Sequence, residues 1–166
     1  MKLKKRIFIV LNICGVVSLF SAAIMLLLLT KRPDGFTSAK ADSNQVSPYL
    51  THKLAPEFWD KFQIGKPFNI EIRQEGVNDI LSRDSFVAGG WPVLYDKVKV
   101  FAPQVKFSSD NLTVITKVEM MAVAMYFTVA AEIFINDDKL CVVKINQIKV
   151  GNVDMTNAGL AVAKKM

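Results

Sequence analysis

The sequence is poor in the residues that most often carry enzyme chemistry. It has one histidine and two cysteines among 166 residues. The histidine, His52, has no cysteine or carboxylate cluster beside it, and no glycine-rich phosphate loop is present. Since no set of acid, base and nucleophile can be assembled, we expect a protein that is not an enzyme, with no catalytic residues, no metal site and no cofactor.

The two cysteines are too few and too far apart for a disulfide framework. Cys14 lies inside a long apolar run, and Cys141 lies in a strand-like run. If the apolar run spans a membrane, the two thiols cannot pair within one chain. We interpret Cys141 as a small buried apolar residue, with a disulfide between chains as the alternative.

An excess of positive charge is also lacking outside the N-terminus. Six of the 21 lysines and arginines lie in residues 1–32, and the remaining 15 balance the 15 acidic residues of the rest of the chain. The net charge of +6 therefore belongs to the flanks of the apolar run, where anionic lipid head groups attract it. No basic patch indicates DNA or RNA, so we expect no nucleic-acid partner.

An unbroken segment without charge spans 7–29, which is 23 residues long. As a helix it would measure roughly 34 Å, enough to cross a hydrocarbon core of about 30 Å. More basic residues precede it than follow it, which favours a cytoplasmic N-terminus. We predict a basic cytoplasmic tail over residues 1–6, one transmembrane helix over 7–29, and an extracytoplasmic remainder, so that the protein is a single-pass signal-anchor protein of the cell membrane.

A cleaved signal peptide is the alternative for this segment. Such peptides have a shorter apolar region that ends at a small-x-small site. Here the small residues Ser21, Ala22 and Ala23 lie in the middle of the run, and Lys31-Arg32-Pro33 follows its end. We therefore favour an uncleaved anchor.

The exported part divides into a polar stalk over residues 30–53 and a domain over residues 54–166, which is long enough to bury one core. The domain opens with a short helix in which Pro56 suits the first turn and Phe58, Trp59 and Phe62 form an aromatic face. We favour packing of that face on its own domain over contact with the bilayer surface, where tryptophan is also common.

Beyond the first helix, alternation of apolar residues predicts a strand through Phe68, Ile70 and Ile72, followed by an amphipathic helix and the loop 86–95. Five apolar runs then follow at 97–101, 104–107, 112–118, 122–135 and 140–150, with turn residues between the later ones. The long fourth run should bend near Ala130 and Ala131, and two phase shifts in the fifth predict bulges. The fold class is α+β, a curved antiparallel β-meander with one or two packing helices, and a weak helix over Thr156–Lys165 with Thr156 or Asn157 as N-cap.

The apolar richness of the fourth run has two interpretations. One is a central strand that forms ordinary core, covered on both faces. The other is a groove for an acyl chain, in which methionine adapts to apolar ligands. The candidate ligand contacts lie on the amphipathic helix and the long strand: Val77, Ile80, Leu81, Val123, Met125 and Phe127.

The segment 68–81, FNIEIRQEGVNDIL, resembles the strand-into-helix opening of the YpmS-like bacterial membrane-anchored proteins. The segments 105–114, VKFSSDNLTV, and 148–153, IKVGNV, continue this likeness, which covers residues 68–155. The chain is also distantly similar to phospholipid-binding envelope proteins, in which a curved antiparallel sheet holds lipid against a helix. The resemblance implies an exported, membrane-tethered domain without catalytic residues. The chain ends soon after Val153, so we expect no long closing helix of the kind such lipid holders use.

Two functions follow as hypotheses. The first is an envelope protein that holds or senses a lipid or another apolar ligand. The second is a structural or assembly subunit of a larger membrane complex, whose partners would be other membrane proteins. An exposed long edge strand would favour the second function, and a closed apolar groove would favour the first.

Overall fold

The structure, a computed structural model, describes residues 2–37, 45–109, 111–137 and 139–163. Four α-helices lie in these residues: α1 (Lys2–Thr30), α2 (Ala55–Gln63), α3 (Gln74–Ser82) and α4 (Thr156–Ala163). A π-helical turn, Leu50–Leu54, leads directly into α2, and a 3₁₀ turn, Asp84–Phe86, follows α3. The predicted aromatic, amphipathic and closing helices are all confirmed.

The described strands form one antiparallel sheet. They are β1 (Val93–Tyr95), β2 (Val98–Val100), β3 (Gln104–Phe107), β4 (Leu112–Met120), β5 (Val123–Ile135), β6 (Cys141–Val150) and β7 (Val153–Asp154). The order across the sheet is β1-β2-β4-β5-β6-β7, and β3 pairs with the half of β4 that β2 leaves free. The α+β class and the antiparallel sheet are thus confirmed, while β1 forms inside the predicted loop.

The long strand and its irregularity follow the sequence pattern closely. β5 has 13 residues, and its register with β6 shifts between Ala130 and Ala131. Ala130 pairs with Gln147 and Ala131 with Ile145, so Asn146 is the extra residue of a bulge. The earlier phase shift in β6 is not a bulge, because pairing there is continuous and the hairpin is apolar on both faces.

The predicted strand through Phe68, Ile70 and Ile72 is wrong. These residues belong to no helix or strand and pair with no strand of the described chain. Ile70 and Ile72 instead line an apolar groove against α2, and the Phe68 ring meets the Phe58 ring. Alternating apolar and polar residues predict a segment with one apolar side. That side can be covered by a helix as well as by a sheet.

Both described ends of the predicted stalk pack on the domain. Phe36 is 3% exposed, and its ring meets that of Tyr126 edge-on at 5.4 Å. Ser47 is also buried, and its hydroxyl donates to the Asp79 carboxylate. These two ends differ from the flexible spacer that the sequence predicts, because an apolar ring and a buried hydroxyl fix them; residues 38–44 lie outside the described part.

The N-terminal helix is long and apolar enough over Asn12–Thr30 to cross a membrane, by length and composition alone, and a signal sequence would meet the same criterion. None of this stretch is buried inside the protein. Its last turn contacts the sheet, since the backbone N–H of Asn152 donates to the Leu28 carbonyl at 2.9 Å. The helix end and the β6–β7 turn are therefore joined by their backbones.

Gly151 makes that contact possible. Its φ is +56°, and an added Cβ would collide with the carbonyl oxygens of Leu28 and Leu29. Its N–H donates to the Tyr126 carbonyl at 2.7 Å. A side chain here would be strained by the backbone angle and would also push the helix away from the sheet.

Gly151→Ala is expected to lower the free energy of unfolding by about 1–3 kcal/mol through strain and collision. Gly65→Ala is the matched control, because Gly65 has a similar φ of +67° but open space around it. Thermal unfolding of the full chain in detergent, followed by circular dichroism, should show the larger loss for Gly151→Ala. Equal losses would contradict a close contact between the turn and the helix.

Candidate apolar binding surface

Alternation along the strands gives the sheet two unlike faces. The face that we call the apolar face carries valine, methionine, phenylalanine and isoleucine side chains. Its central members are Val114, Val118, Val123, Met125, Phe127, Val129 and Ile148. The opposite face carries mostly polar or small side chains: Lys117, Glu119, Ala124, Tyr126, Thr128, Gln147 and Lys149.

The segment after α1 lies over the more polar face. The Phe36 ring packs on Tyr126, and the Lys106 ammonium donates to the Asp34 carbonyl at 2.6 Å. The Thr37 N–H donates to the Gln104 side chain at 2.9 Å. Ile115, in the middle of this face, is 2% exposed. This face is therefore closed at its centre by the chain itself.

The apolar face is only partly covered. At β6, α4 approaches so closely that a Cβ on Gly159 would collide with Ile148. Val123, Met125 and Phe127 are half-buried. Among the described residues only Phe36, Val105, Ile115, Ala131 and Val150 are buried apolar residues, and no large side chain is fully buried. Val105, Ala131 and Val150 lie on the apolar face itself, whose central members are partly buried.

Helix α3 lies along the edge of the sheet, beside β3. The Asn78 amide donates to the Val105 carbonyl at 2.8 Å and accepts from the Val105 N–H at 2.6 Å. The Gln74 side chain accepts from the Phe107 N–H at 2.8 Å. These amides pair the backbone groups that β3 turns away from β4, so α3 protects this edge from strand addition.

The structure therefore does not bring the two sets of candidate residues together. Val77, Ile80 and Leu81 belong to the helix beside β3, whereas Val123, Met125 and Phe127 lie on β5, two strands away. Ile80 lines a different pocket of about 200 Å³, with Val46, Leu50 and Phe86 among its walls. A ligand role for all six residues stays a prediction, and the three on β5 lie on the apolar face.

The sequence reasoning missed Gln74 and Asn78. Their spacing of four residues places them on one side of α3. Two amides at that spacing next to an apolar stripe indicate a helix that meets backbone groups as well as side chains. That signal was present in the sequence and would have placed the helix at an edge.

A second accessible apolar region is the β5–β6 hairpin. Pairing of β4 with β5 ends at Ala131, so the hairpin continues beyond the sheet as two strands. The apolar side chains exposed along it include Ile133, Phe134, Ile135, Leu140 and Val143. Cys141 is also exposed, so the expectation that it is buried was wrong; the free hairpin has no layer to cover it.

The position of α3 depends on the Asp79 carboxylate, which accepts hydrogen bonds from two side chains. Asp79 accepts from the Arg83 guanidinium at 2.8 Å and from the Ser47 hydroxyl. Burial alone would raise the pKa of the Asp79 carboxyl, but the hydrogen bonds from Arg83 and Ser47 outweigh it, so the pKa is lowered. The ionised carboxylate thus joins α3 to the segment that precedes the π-helical turn.

The closing helix is fastened in a different way from the prediction. The Thr156 hydroxyl accepts from the Ile148 N–H at 3.0 Å, so it bonds to β6 instead of capping its own helix. The Thr156 N–H donates to the Asp154 carboxylate at 2.9 Å. Hydrogen bonds to Thr156 lower the pKa of the Asp154 carboxyl. These contacts hold α4 against the end of the apolar face.

Within the described residues, no group of three or more His, Cys, Asp and Glu lies close enough to hold a metal ion. No protein-family model, curated protein or solved structure matches the sequence. The likeness to YpmS-like proteins therefore stays a prediction from the residues quoted for it.

Asp79→Asn should destabilise the protein at neutral pH because it removes the charge that Arg83 faces. A lowered folded-state pKa gives stability above the unfolded pKa, near 3.9, that is lost as the pH falls through the folded value. The difference in Tm between wild type and Asp79→Asn is thus expected to be largest at pH 7 and to shrink below about pH 4.

Asp60→Asn is the control for this comparison, since Asp60 is exposed on α2 and forms no ion pair within the described residues. Its Tm should stay close to that of wild type at both pH values. A difference for Asp79→Asn that is constant from pH 7 to pH 3 would contradict the role of its ionised form.

Proposed function

We propose that this chain is a non-enzymatic, membrane-anchored envelope protein whose apolar face holds or senses a lipid or another apolar ligand. The observation that carries the proposal is the incomplete burial of that face. Val123, Met125 and Phe127 lie on the middle strand, yet each is only half-buried. When an acyl chain covers accessible apolar area, that area is removed from water, which stabilises the complex.

The chemistry of the face suits a flexible apolar ligand. Methionine is unbranched and polarisable, so Met120 and Met125 can adapt to chains of different shape. The strands that carry them pair along most of their length, so the backbone of the surface is already formed. A ligand would lose little of its binding free energy to ordering of the protein.

Native mass spectrometry of the gently extracted full chain tests this function directly. The wild-type protein should carry bound lipid. Met125→Lys is expected to abolish lipid binding, because it places a charge on the apolar face. Met121→Lys is the matched control, since Met121 lies in the β4–β5 turn and is 77% exposed.

A wild-type protein that never carries lipid would contradict the ligand function whatever the variants do. Equal loss of lipid in Met125→Lys and Met121→Lys would place the ligand elsewhere. Circular dichroism of each variant separates loss of the ligand from loss of the fold.

The β5–β6 hairpin supports a second candidate, a structural or assembly subunit. Beyond Ala131 it lacks a β4 partner, and Ile135 at its tip is 74% exposed. An unpaired strand edge with apolar side chains is a template for strand addition by another protein. In the same native spectra, bound protein without bound lipid would favour this function, and Val143→Lys should release that protein.

The location of the domain is part of the proposal. The asymmetry of basic residues around α1 favours a cytoplasmic N-terminus and an extracytoplasmic sheet. Protease added to intact cells whose outer barriers have been removed should then digest the domain. Protection until the cytoplasm is opened would contradict this orientation, and recovery of a chain lacking residues 1–30 would show a cleaved signal peptide.

A further inference from the structure

Helix α2 presents a cluster of aromatic side chains that neither function uses. The Phe58 ring centroid lies 5.6–6.0 Å from three others, those of Trp59, Phe62 and Phe68. Trp59 and Phe62 are nevertheless 56% and 57% exposed. We call these four residues, with Ile64 and Ile72, the aromatic patch. The contacts among these rings leave more than half of the surface of Trp59 and of Phe62 exposed.

The aromatic patch is held in place by the domain. The Lys61 ammonium donates to the Glu57 carboxylate at 2.6 Å and to the Asn69 carbonyl at 2.5 Å, which joins α2 to the extended segment after it. At the other end, the Tyr49 ring covers Gly76 of α3 so closely that no Cβ would fit. The patch is therefore a fixed feature of the surface.

A groove of about 380 Å³ opens beside the aromatic patch. Its walls are apolar throughout: Leu50, Leu54, Ala55, Phe58, Trp59, Ile70 and Ile72. The two tryptophans of the chain differ in their bonding. The Trp91 indole N–H donates to the Leu81 carbonyl at 2.9 Å, whereas the Trp59 indole has no hydrogen-bond partner in the described part of the chain. An exposed apolar ring with a free donor suits the boundary between hydrocarbon and water.

We propose that the aromatic patch docks into the interfacial layer of the bilayer that α1 spans. The proposal rests on the membrane anchor of the proposed function. The domain begins at the end of α1, because Asn152 bonds to Leu28 and Phe36 is already buried on the sheet. No spacer separates the span from the sheet at this contact, so a bilayer around α1 lies within reach of the domain.

Composition favours lipid over a protein as the occupant. Tryptophan and phenylalanine on one side of a short helix are typical of helices at a membrane interface, and the polar side of α2 carries Glu57 and Asp60 as well as Lys61. Lys66, just after α2, can extend its charged end toward head groups while the rings enter the boundary of the acyl chains, whereas Lys61 stays bonded to Glu57 and Asn69. Docking would fix the orientation of the sheet relative to the membrane.

Fluorescence quenching in nanodiscs tests this contact. The full chain is inserted into nanodiscs of phosphatidylcholine and phosphatidylglycerol, with or without bromine on the acyl chains. Trp91→Phe leaves Trp59 as the single reporter, and Trp59→Phe leaves Trp91. Brominated lipid should quench Trp59 fluorescence several-fold more strongly than Trp91 fluorescence. Trp59 emission should also shift to the blue when the protein enters the nanodiscs.

Equal quenching of the two reporters would overturn the proposal, as would Trp59 emission that stays red-shifted in nanodiscs. In the Trp91→Phe background, Phe62→Asp should reduce Trp59 quenching, whereas Tyr95→Asp, at an exposed aromatic residue on β1, should not. A protein that fails to enter nanodiscs would show that the anchor itself is wrong. Lipid lost from Met125→Lys with quenching unchanged would separate the docking site from the ligand site.

Discussion

The contact between the end of α1 and the β6–β7 turn determines where everything else lies. The last carbonyls of a helix have no partner within the helix and need one from the rest of the protein or from water. Here the Asn152 N–H supplies one bond, and Gly151 has no side chain to prevent the approach. Because Gly151 also bonds to Tyr126, the apolar helix continues directly into the hydrogen bonding of the sheet.

Protection of the sheet edges is uneven, and both proposed functions depend on this. One edge is closed by the Asn78 and Gln74 amides, which pair the outward groups of β3. A helix used in this way cannot also cover the middle of the sheet. The apolar face around Met125 is only partly buried, and within the described residues the far hairpin pairs with no third strand beyond Ala131.

Local patterns predicted the long strands well and the arrangement of layers poorly. Alternation and turn residues defined β3, β4, β5 and β6, and the bulge at Asn146 lies at the second phase shift of the run 140–150. The same alternation was wrong for Phe68–Ile72, because period two describes an extended chain and does not identify its neighbour. The position of α3 could not be predicted from Val77, Ile80 and Leu81. An apolar stripe on a helix does not indicate whether the helix packs on a face of the sheet or along its edge.

The small core explains why apolar side chains remain at the surface. A domain of this size usually buries most of its apolar area around one interior, and its stability is a small difference between large terms. Here the buried apolar residues are few, while Met125, Ile135 and Trp59 lie on three separate accessible surfaces. Covering any of these surfaces with lipid or protein would lower the free energy of the folded state. Association with a membrane and with an apolar ligand or partner would thus complete a fold that the described residues close only in part.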